Sequence, residues 1–361
     1  MTATKTVTQL SVFATFRVGG PQVRFAALAN HLGSRFRHII VAMDNQFDCQ
    51  DRLDPGLDVT LHPLAYRKAS LLRNLGLFRG LLRRFNPDVL VTHNWGSIEW
   101  AMANAPQLVR HVHIEDGFGP EEAQKQLLRR VWTRRLALSG KGTTVILPSR
   151  NLERIALEQW SLSPSRVRFI PNGVNCARFA VASRPVKDGP VVIGTVATLR
   201  REKNLPRLLR AFAGIAARRQ AELLIVGDGV ERPQLEKLAG ELGVSAKVRF
   251  AGQSNRPEEW LAQMDVFALS SDTEQMPLSL LEAMAAGLPA VATNVGDVAQ
   301  IVSVANSPYI VAATDEAFQD GLARLIDDRA GRDLIGRENE KRARENFDEH
   351  VMAERYAAII G

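Results

Sequence analysis

The alternation of short apolar runs with longer helical segments constrains the fold of this chain more than any other feature. Each run is five to seven residues long and rich in β-branched side chains. Such alternation predicts βαβ units and parallel sheets, and runs that are apolar almost throughout indicate sheets covered on both faces. The fold class is therefore α/β with doubly wound sheets. The predicted strands are 11–16, 38–43, 58–64, 88–93, 112–116, 143–149, 191–197, 222–228, 248–253, 266–271 and 289–295.

A chain of 361 residues suits two domains of this kind. Residues 174–190 have little periodicity and two prolines, which is typical of a linker. We therefore expect an N-terminal Rossmann-like domain over 1–175 and a C-terminal domain over 186–335. The charged, helical segment 336–361 is expected to cross back to the N-terminal domain. Two such domains would face each other across a cleft, with ligands beyond the carboxyl ends of the strands.

Charge is divided unevenly along the chain. Residues 1–185 hold 25 Lys and Arg against 13 Asp and Glu, whereas 186–361 hold 21 against 26. The basic first half predicts an anionic partner, for which a membrane surface, phosphates and nucleic acid are open alternatives.

Two cysteines, Cys49 and Cys176, are too few for a disulfide framework or a cysteine-based zinc site. The apolar stretch at 10–15 is shorter than the core of a signal peptide, and no run reaches the length of a membrane span. We expect a cytoplasmic protein, with the inner face of the cell membrane left open as its place of action.

The segment DTEQMPLSLLEAMAAGLP (272–289) predicts a site at the start of a helix. Pro277 suits the first helical position and Gly287 the position past the end, so the helix is predicted over 278–286. No capping residue precedes Pro277. The N–H groups of the first turn, with the helix dipole behind them, therefore predict an anion site; they belong to Leu278, Ser279 and Leu280.

Two glutamates bracket this predicted anion site. Glu274 lies in the loop before the helix, and Glu282 lies about 7.5 Å along the helix axis from its start. Because carboxylates repel phosphate, their partners should be hydroxyl groups on either side of a diphosphate. The pattern therefore predicts a nucleoside diphosphate that carries a second sugar.

Taken together, these motifs resemble the GT-B glycosyltransferases, specifically glycosyltransferase family 4. The resemblance extends from the glutamate pair to several further segments: PNGV (171–174), SRNLERI (149–155), TVATLRREKNLPRLLRAF (195–212), IVGDGVERPQLE (225–236) and VRFAGQ (248–253). It is looser in the first half, at RVGGPQ (17–22) and HIEDGFG (113–119). The resemblance implies two Rossmann-like domains, a nucleotide-sugar donor, retention of anomeric configuration, and no metal or other cofactor.

The resemblance also implies roles for single residues. Glu274 would contact the hydroxyls of the donor sugar, Glu282 those of the ribose, and Lys203 the phosphates. The family arginine expected five residues before Lys203 is Thr198 here. Arg200 or Arg201 is the replacement, and Arg200 is favoured. The predicted donor-binding set is Gly19, Gly20, Arg200, Lys203, Gly227, Met276, Pro277, Leu278, Ser279 and Glu282.

The glycines of this set belong to two glycine-rich turns. Gly19 and Gly20 follow the first predicted strand, and paired glycines allow close approach of the backbone to a ligand. The resemblance would put them near the phosphates or the acceptor. Gly227 lies in a GDG turn predicted at the edge of the cleft, and both a purely structural role and a ligand contact remain open for it.

The segment HIEDGFG is predicted to supply the acceptor side of the site. His113, Glu115 and Asp116 lie within four positions at the end of a strand, and could bind a metal or position an acceptor hydroxyl. By resemblance, His113 is the predicted catalytic histidine, with Asp116 as the alternative and Glu274 on the donor side. His93 and His111 are predicted core residues, and no zinc site is expected.

Two basic segments, 67–85 and 127–135, combine leucines with arginines. They fit either an anionic bilayer or, for the apolar stripe of 67–85, packing on the first sheet. The predicted reaction is retaining transfer of a sugar from a nucleotide sugar to a hydroxyl of a glycan or lipid-linked acceptor. A nucleotide-sugar epimerase or a phosphorylase-type enzyme is the alternative. A basic nucleic-acid-binding protein is a remote one, because aromatics form only 6% of the chain and no nucleic-acid-binding motif occurs.

Overall fold

A computed structural model describes residues 6–66, 70–122, 125–180 and 189–361. The chain divides into two compact units, one of Met1–Asn172 with Glu349–Gly361 and one of Gly173–Asp348. Of the predicted linker, residues 181–188 lie outside the described residues, as does the start of the basic segment at 67–69.

The first unit is built on a seven-stranded parallel sheet in the order β3-β2-β1-β4-β5-β6-β7. Its strands are β1 (Val7–Phe13), β2 (Phe36–Ala42), β3 (Asp58–His62), β4 (Val89–His93), β5 (Arg110–Ile114), β6 (Thr143–Leu147) and β7 (Val167–Phe169). Its first five helices are α1 (Gly20–Leu32), α2 (Leu71–Phe85), α3 (Ile98–Ala103), α4 (Leu128–Leu138) and α5 (Arg150–Glu158). Buried clusters lie on both faces of this sheet, as expected for apolar parallel strands.

The second unit is built on a six-stranded parallel sheet in the order β10-β9-β8-β11-β12-β13. After the short helix α6 (Cys176–Phe179), its strands are β8 (Val191–Val196), β9 (Ala221–Val226), β10 (Val248–Gly252), β11 (Val266–Leu269), β12 (Ala290–Thr293) and β13 (Ile310–Val311). Its other helices are α7 (Leu205–Ala216), α8 (Arg232–Glu241), α9 (Pro257–Leu261), α10 (Leu278–Ala285), α11 (Val298–Ile301), α12 (Asp315–Asp327) and α13 (Arg329–Asn346). Strand order reverses between β8 and β11, where ligands of such sheets usually bind.

The last helix, α14 (Glu349–Ile360), belongs to the first unit. Its buried Tyr356 and Ile360 join a core cluster that includes Leu28 and Leu32 of α1. Within the described part of the chain, no helix is both long enough and apolar enough to cross a membrane.

The prediction of two parallel α/β sheets is confirmed, and each of the eleven predicted runs overlaps a strand. The first run was misplaced, because the strand is Val7–Phe13 and not 11–16. Phe16 follows the strand in a loop but is fully buried, so the apolar pattern continues past the strand end. The edge strands β7 and β13 were missed, since they are only three and two residues long.

Candidate functional site

Two loops of the second unit leave the sheet where the strand order reverses. The loop after β8 leads to Lys203, and the loop after β11 leads to Glu274 and α10. The Lys203 Nζ donates a hydrogen bond to Glu274 Oε1 at 2.6 Å, and Ser271 Oγ donates to the same oxygen at 2.7 Å. The lysine side chain is 23% exposed and that of the glutamate 9%. The predicted phosphate contact and the predicted sugar contact therefore lie side by side.

Several hydrogen bonds fix these two loops against each other. Ser270 Oγ donates to the Lys203 carbonyl oxygen at 2.9 Å, and the Asp272 N–H donates to Glu202 O at 2.9 Å. Asn204 adopts a left-handed backbone, and its amide nitrogen donates to both Asp272 carboxylate oxygens at 3.0 and 3.1 Å. Short polar side chains such as Asn tolerate this backbone region, which explains an asparagine at the start of α7.

Arg207 ties the same region to the body of the unit. Its side chain is only 8% exposed, and its guanidinium donates to the carbonyl oxygens of Ser270 at 2.7 Å and Ala313 at 2.8 Å. It also forms an ion pair with Asp272 at 2.9 Å. Arg207 is not among the predicted site residues, although it lies four residues after Lys203 in the same motif.

A third loop, after β12, packs against the Glu274 loop. Gly296 has a φ of 55°, and a Cβ at this position would lie 2.0 Å from the Glu274 carbonyl oxygen. The N–H of Asp297 donates to Gln275 O at 3.2 Å. Only glycine allows this approach. Gly296 is not among the predicted site residues, because its only sequence signal is a Gly-Asp pair after a predicted strand.

Helix α10 begins at Leu278, as predicted, and ends at Ala285, one residue before the predicted end. Pro277 is the N-cap residue with an extended backbone, ψ 118°, so its predicted place at the first helical position is wrong. Among the described residues no side chain caps this helix. The Leu280 N–H donates to Pro277 O at 3.2 Å, which removes it from the predicted anion-binding set. Leu278 and Ser279 remain partly exposed, whereas Met276 and Pro277 are buried.

The remaining predicted donor-binding residues are either at least partly exposed or required by a close backbone contact. Glu282 is partly exposed on α10, and both Arg200 and Arg201 are exposed just before Lys203. Gly227 has a φ of 135°, and a Cβ there would lie 1.8 Å from Ala197 O. The close approach of the loop after β8 is therefore sufficient to require glycine at 227.

In the first unit, α1 connects the paired glycines to Asp116. Gly19 is the N-cap of α1 and Gly20 its first residue. One turn later, Arg24 is buried and binds both carboxylate oxygens of Asp116. It also donates to Asn172 Oδ1 at 2.9 Å. Burial alone would lower the pKa of Arg24, but the Asp116 carboxylate raises it above its ordinary value, so the guanidinium stays charged.

His113 and Asp116 occupy different environments. The His113 side chain is fully buried, and its Nδ1 is hydrogen bonded to Thr92 Oγ1 at 2.8 Å. The Asp116 side chain is 14% exposed. Of the two predicted groups, only Asp116 therefore has surface that a ligand could touch in this structure. His93 and His111 are buried as well, and burial lowers the pKa of His111 to about 3.

A buried ionic network lies beside this segment and was not predicted. Arg134 of α4 binds Glu115 through Nε at 3.1 Å and Glu122 through both terminal nitrogens. Aromatic rings surround the same guanidinium, namely those of Trp95, Phe118 and Trp160. Glu115 is thereby committed to the structure of the first unit. In the described part of the chain, no group of three or more His, Cys, Asp or Glu side chains could hold a metal ion.

Comparison with known proteins places both halves of the chain in glycosyltransferase families. The model of Glycosyltransferase Family 4 matches residues 18–178, and that of Glycosyl transferases group 1 matches residues 178–346. One relative is the UDP-Gal:alpha-D-GlcNAc-diphosphoundecaprenol alpha-1,3-galactosyltransferase of Escherichia coli, 26% identical over 77% of each chain. Another is the N-acetyl-alpha-D-glucosaminyl L-malate synthase of Bacillus anthracis, 29% identical over 47% of this chain. The aligned part spans less than half of that relative, 44% of its length.

Solved structures agree on the fold. The Anabaena protein HepE, crystallised with UDP and glucose, matches with a TM-score of 0.84 and 17% identity over 98% of both chains. Sucrose-phosphate synthase from Thermosynechococcus elongatus matches with a TM-score of 0.78 and 21% identity over 98% of both chains. At these identities the likeness concerns the fold.

Proposed function

The chain belongs to glycosyltransferase family 4, with the GT-B fold, and we propose that it moves a sugar from a nucleoside diphosphate to a hydroxyl of a glycan or lipid-linked acceptor with retention of configuration. The observation that carries the proposal is the Lys203–Glu274 pair at the start of α10. A cation and a carboxylate side by side suit a ligand in which a phosphate and a sugar hydroxyl are neighbours.

The pair leaves room for both halves of such a ligand. Among the described residues, the contacts of the Glu274 carboxylate fall on Oε1, so Oε2 is the oxygen proposed to accept from a sugar hydroxyl. The lysine ammonium has three donors and uses one on Glu274, which leaves others for phosphate oxygens. On α10, the N–H groups of Leu278 and Ser279 point toward the same anion by the direction of the helix. Glu282 is proposed to hold the ribose.

The chemical step places negative charge on the departing nucleoside diphosphate. Fixed donors aimed at the developing charge lower the barrier most when they are already in position. Lys203, held by Glu274, and the first turn of α10 are proposed to supply them. Arg200 is proposed as the further cation in place of the arginine missing at Thr198.

Retention is proposed to follow from attack on the face that the leaving group departs from. The acceptor oxygen forms the new bond to the anomeric carbon while the bond to the phosphate oxygen breaks, and the acceptor proton passes to the departing diphosphate. Asp116, fixed by Arg24, is the group proposed to orient the acceptor hydroxyl. His113, which is buried, is proposed to have a structural role in holding this segment in place.

The relatives suggest which ligands to test first. The Escherichia coli relative is named for UDP-Gal and a lipid diphosphate acceptor, and the Anabaena structures hold UDP or UDP-glucose. UDP-sugars are therefore the first donors to test, with GDP-, ADP- and dTDP-sugars beside them. The family matches favour a glycosyltransferase over the epimerase, phosphorylase-type and nucleic-acid alternatives.

Thermal unfolding with each sugar nucleotide tests the donor site. A ligand at 100 times its Kd stabilises the native state by about 2.7 kcal/mol, so one donor class should raise Tm clearly. Glu282→Ala should abolish that rise, whereas Glu316→Ala, an exposed glutamate on α12, should keep it. Absence of a Tm rise with all four donor classes would contradict the proposal. Radiolabelled donor with and without acceptor then separates transfer from epimerisation.

A further inference from the structure

Helix α4 exposes an apolar stripe to solvent. Leu128 is 72% exposed, Trp132 59% and Leu136 74%. Residues spaced by four lie on one face of a helix, so the three side chains form a continuous row. Arg129 and Arg135, both exposed, border this row on its two sides. Scattered single leucines on a surface need no explanation, but a bordered row of three does.

The opposite face of α4 is firmly anchored. Arg134 is fully buried in its network with Glu115 and Glu122, and Leu138 is fully buried in the core. The helix cannot turn its apolar row inward without breaking these buried ion pairs. The exposed row is therefore a fixed feature of the surface of the first unit.

Helix α2, which lies in the other basic segment, differs from α4 in where its apolar side chains lie. Its apolar side chains Phe78, Leu81 and Leu82 are buried in the core of the first unit. Among the described residues, the exposed leucines of α2 are Leu71 (43%), Leu72 (85%) and Leu77 (38%), which are not spaced by four and form no comparable row. The packing alternative thus holds for α2, and the bilayer alternative remains for α4.

We infer that α4 docks the first unit on an anionic lipid bilayer. A helix with a tryptophan and leucines on one face and arginines at its borders is suited to the boundary between headgroups and acyl chains. The helix sequence LRRVWTRRLAL contains no acidic residue, so a flat anionic surface matches the whole exposed face. The guanidinium of Arg135 lies 5.3 Å from the centre of the Trp132 ring, which places charge beside the row at headgroup depth.

Docking through α4 would place the acceptor segment at the membrane. Arg134 joins α4 to Glu115, whose neighbour in the chain is Asp116. If Asp116 orients the acceptor, the acceptor reaches it from the bilayer and is lipid-linked, not a free glycan. This second step rests on the proposed function, whereas docking itself does not.

Vesicle co-sedimentation without any sugar nucleotide tests the docking. The full chain is mixed with vesicles of phosphatidylcholine alone or with about one third phosphatidylglycerol. We expect binding to the anionic vesicles only, weakened as salt rises from low to high ionic strength. Leu136→Ser should lower the partition coefficient about tenfold, because a leucine no longer enters the lipid. Leu72→Ser, the matched exposed leucine on α2, should change it less than about twofold.

A charge-matched pair separates docking from general attraction of a basic protein. Arg129→Ser with Arg135→Ser should lower the partition coefficient about 25-fold, since each arginine near the surface contributes about fivefold. Arg83→Ser with Arg84→Ser removes the same charge from α2 and should have a much smaller effect. Equal losses in the two double variants, or no binding by the parent chain, would overturn the inference.

The remaining outcomes are also decisive. A concentration-dependent dimer in sedimentation velocity that Leu136→Ser abolishes would assign the row to a second copy of the chain and overturn docking. Vesicle binding as expected, with no donor protecting the protein, would leave docking intact and remove the proposed function. Thermal protection by a donor without vesicle binding would support the proposed function and overturn docking.

Discussion

Gly296 lies directly against the loop of Glu274, where a Cβ would be 2.0 Å from the Glu274 carbonyl oxygen. The position of the proposed sugar-binding carboxylate is therefore set partly by a glycine 22 residues further along the chain. Asp297 adds a hydrogen bond from its N–H to Gln275 O. Any side chain at 296 must move one of these two loops.

Gly296→Ala should therefore reduce donor binding as well as stability. We expect a loss of about 2 kcal/mol of unfolding free energy, from left-handed backbone strain and the clash together. The thermal protection by the donor should fall with it. Gly243→Ala is the control, because Gly243 has a φ of 69° with no atom near a Cβ. Gly243→Ala should lower the free energy of unfolding by about 1 kcal/mol and leave thermal protection by the donor unchanged. Equal behaviour of the two variants would contradict the role of Gly296.

The Lys203–Glu274 pair should act as a unit in catalysis. Lys203→Met is expected to lower kcat about 100-fold or more, because a donor aimed at the leaving group is lost. It also leaves Glu274, 9% exposed, without its cation, so Tm should fall. Adding Glu274→Gln to Lys203→Met should restore part of the Tm but not the rate.

A double-mutant cycle on kcat and Tm measures this coupling. The control is Lys237→Met, which breaks an exposed pair with Glu241 and should change neither quantity. Strictly additive effects of the two substitutions at 203 and 274 would show that the pair has no joint role.

Local signals explain what the sequence revealed, and long-range contacts explain what it did not. The segment 272–289 alone contains the signals for the end of α10 at Ala285, the left-handed Gly287 and the spacing of the two glutamates. By contrast, the Arg24–Asp116 pair joins positions 92 residues apart, and the Gly296–Glu274 contact depends on two loops meeting. The burial of His113 likewise follows from its strand neighbours, which a linear pattern does not specify.

Buried neutral histidines should make the first unit sensitive to acid. Burial lowers the pKa of His38 to about 4 and that of His111 to about 3, each from an ordinary value of 6.5. Between these values and 6.5 the unfolded chain binds protons that the folded chain does not. The contribution of these histidines to the free energy of unfolding is therefore fully present above about pH 6.5. It falls by a few kcal/mol in total as the pH drops toward 4.

Urea unfolding followed from pH 7 to pH 4 checks this dependence. His38→Leu should make the curve shallower, because one of the buried histidines no longer titrates. A parent chain whose unfolding free energy stays constant over that range would contradict the assignment.

If Asp116, and not His113, orients the acceptor, substitutions at the two positions should have different effects. Asp116→Asn keeps the shape of the side chain but removes the charge that Arg24 binds. We expect kcat to fall at least about 100-fold, since acid–base and orienting groups contribute on this scale. Thermal protection by the donor should remain, because the donor contacts proposed above lie in the second unit. Unfolding free energy should fall by about 3 kcal/mol, as a buried guanidinium loses its partner.

His113→Gln provides the comparison. The His113 side chain is fully buried and bonded to Thr92, so its substitution should lower stability more than the rate of transfer. Rates are measured well below the Tm of each variant, so that a loss of activity cannot be due to unfolding. A rate that collapses in His113→Gln while Asp116→Asn retains it would return the catalytic role to the histidine. It would also mean that strand β5 rearranges when the acceptor binds, because a side chain without exposed surface cannot otherwise reach it.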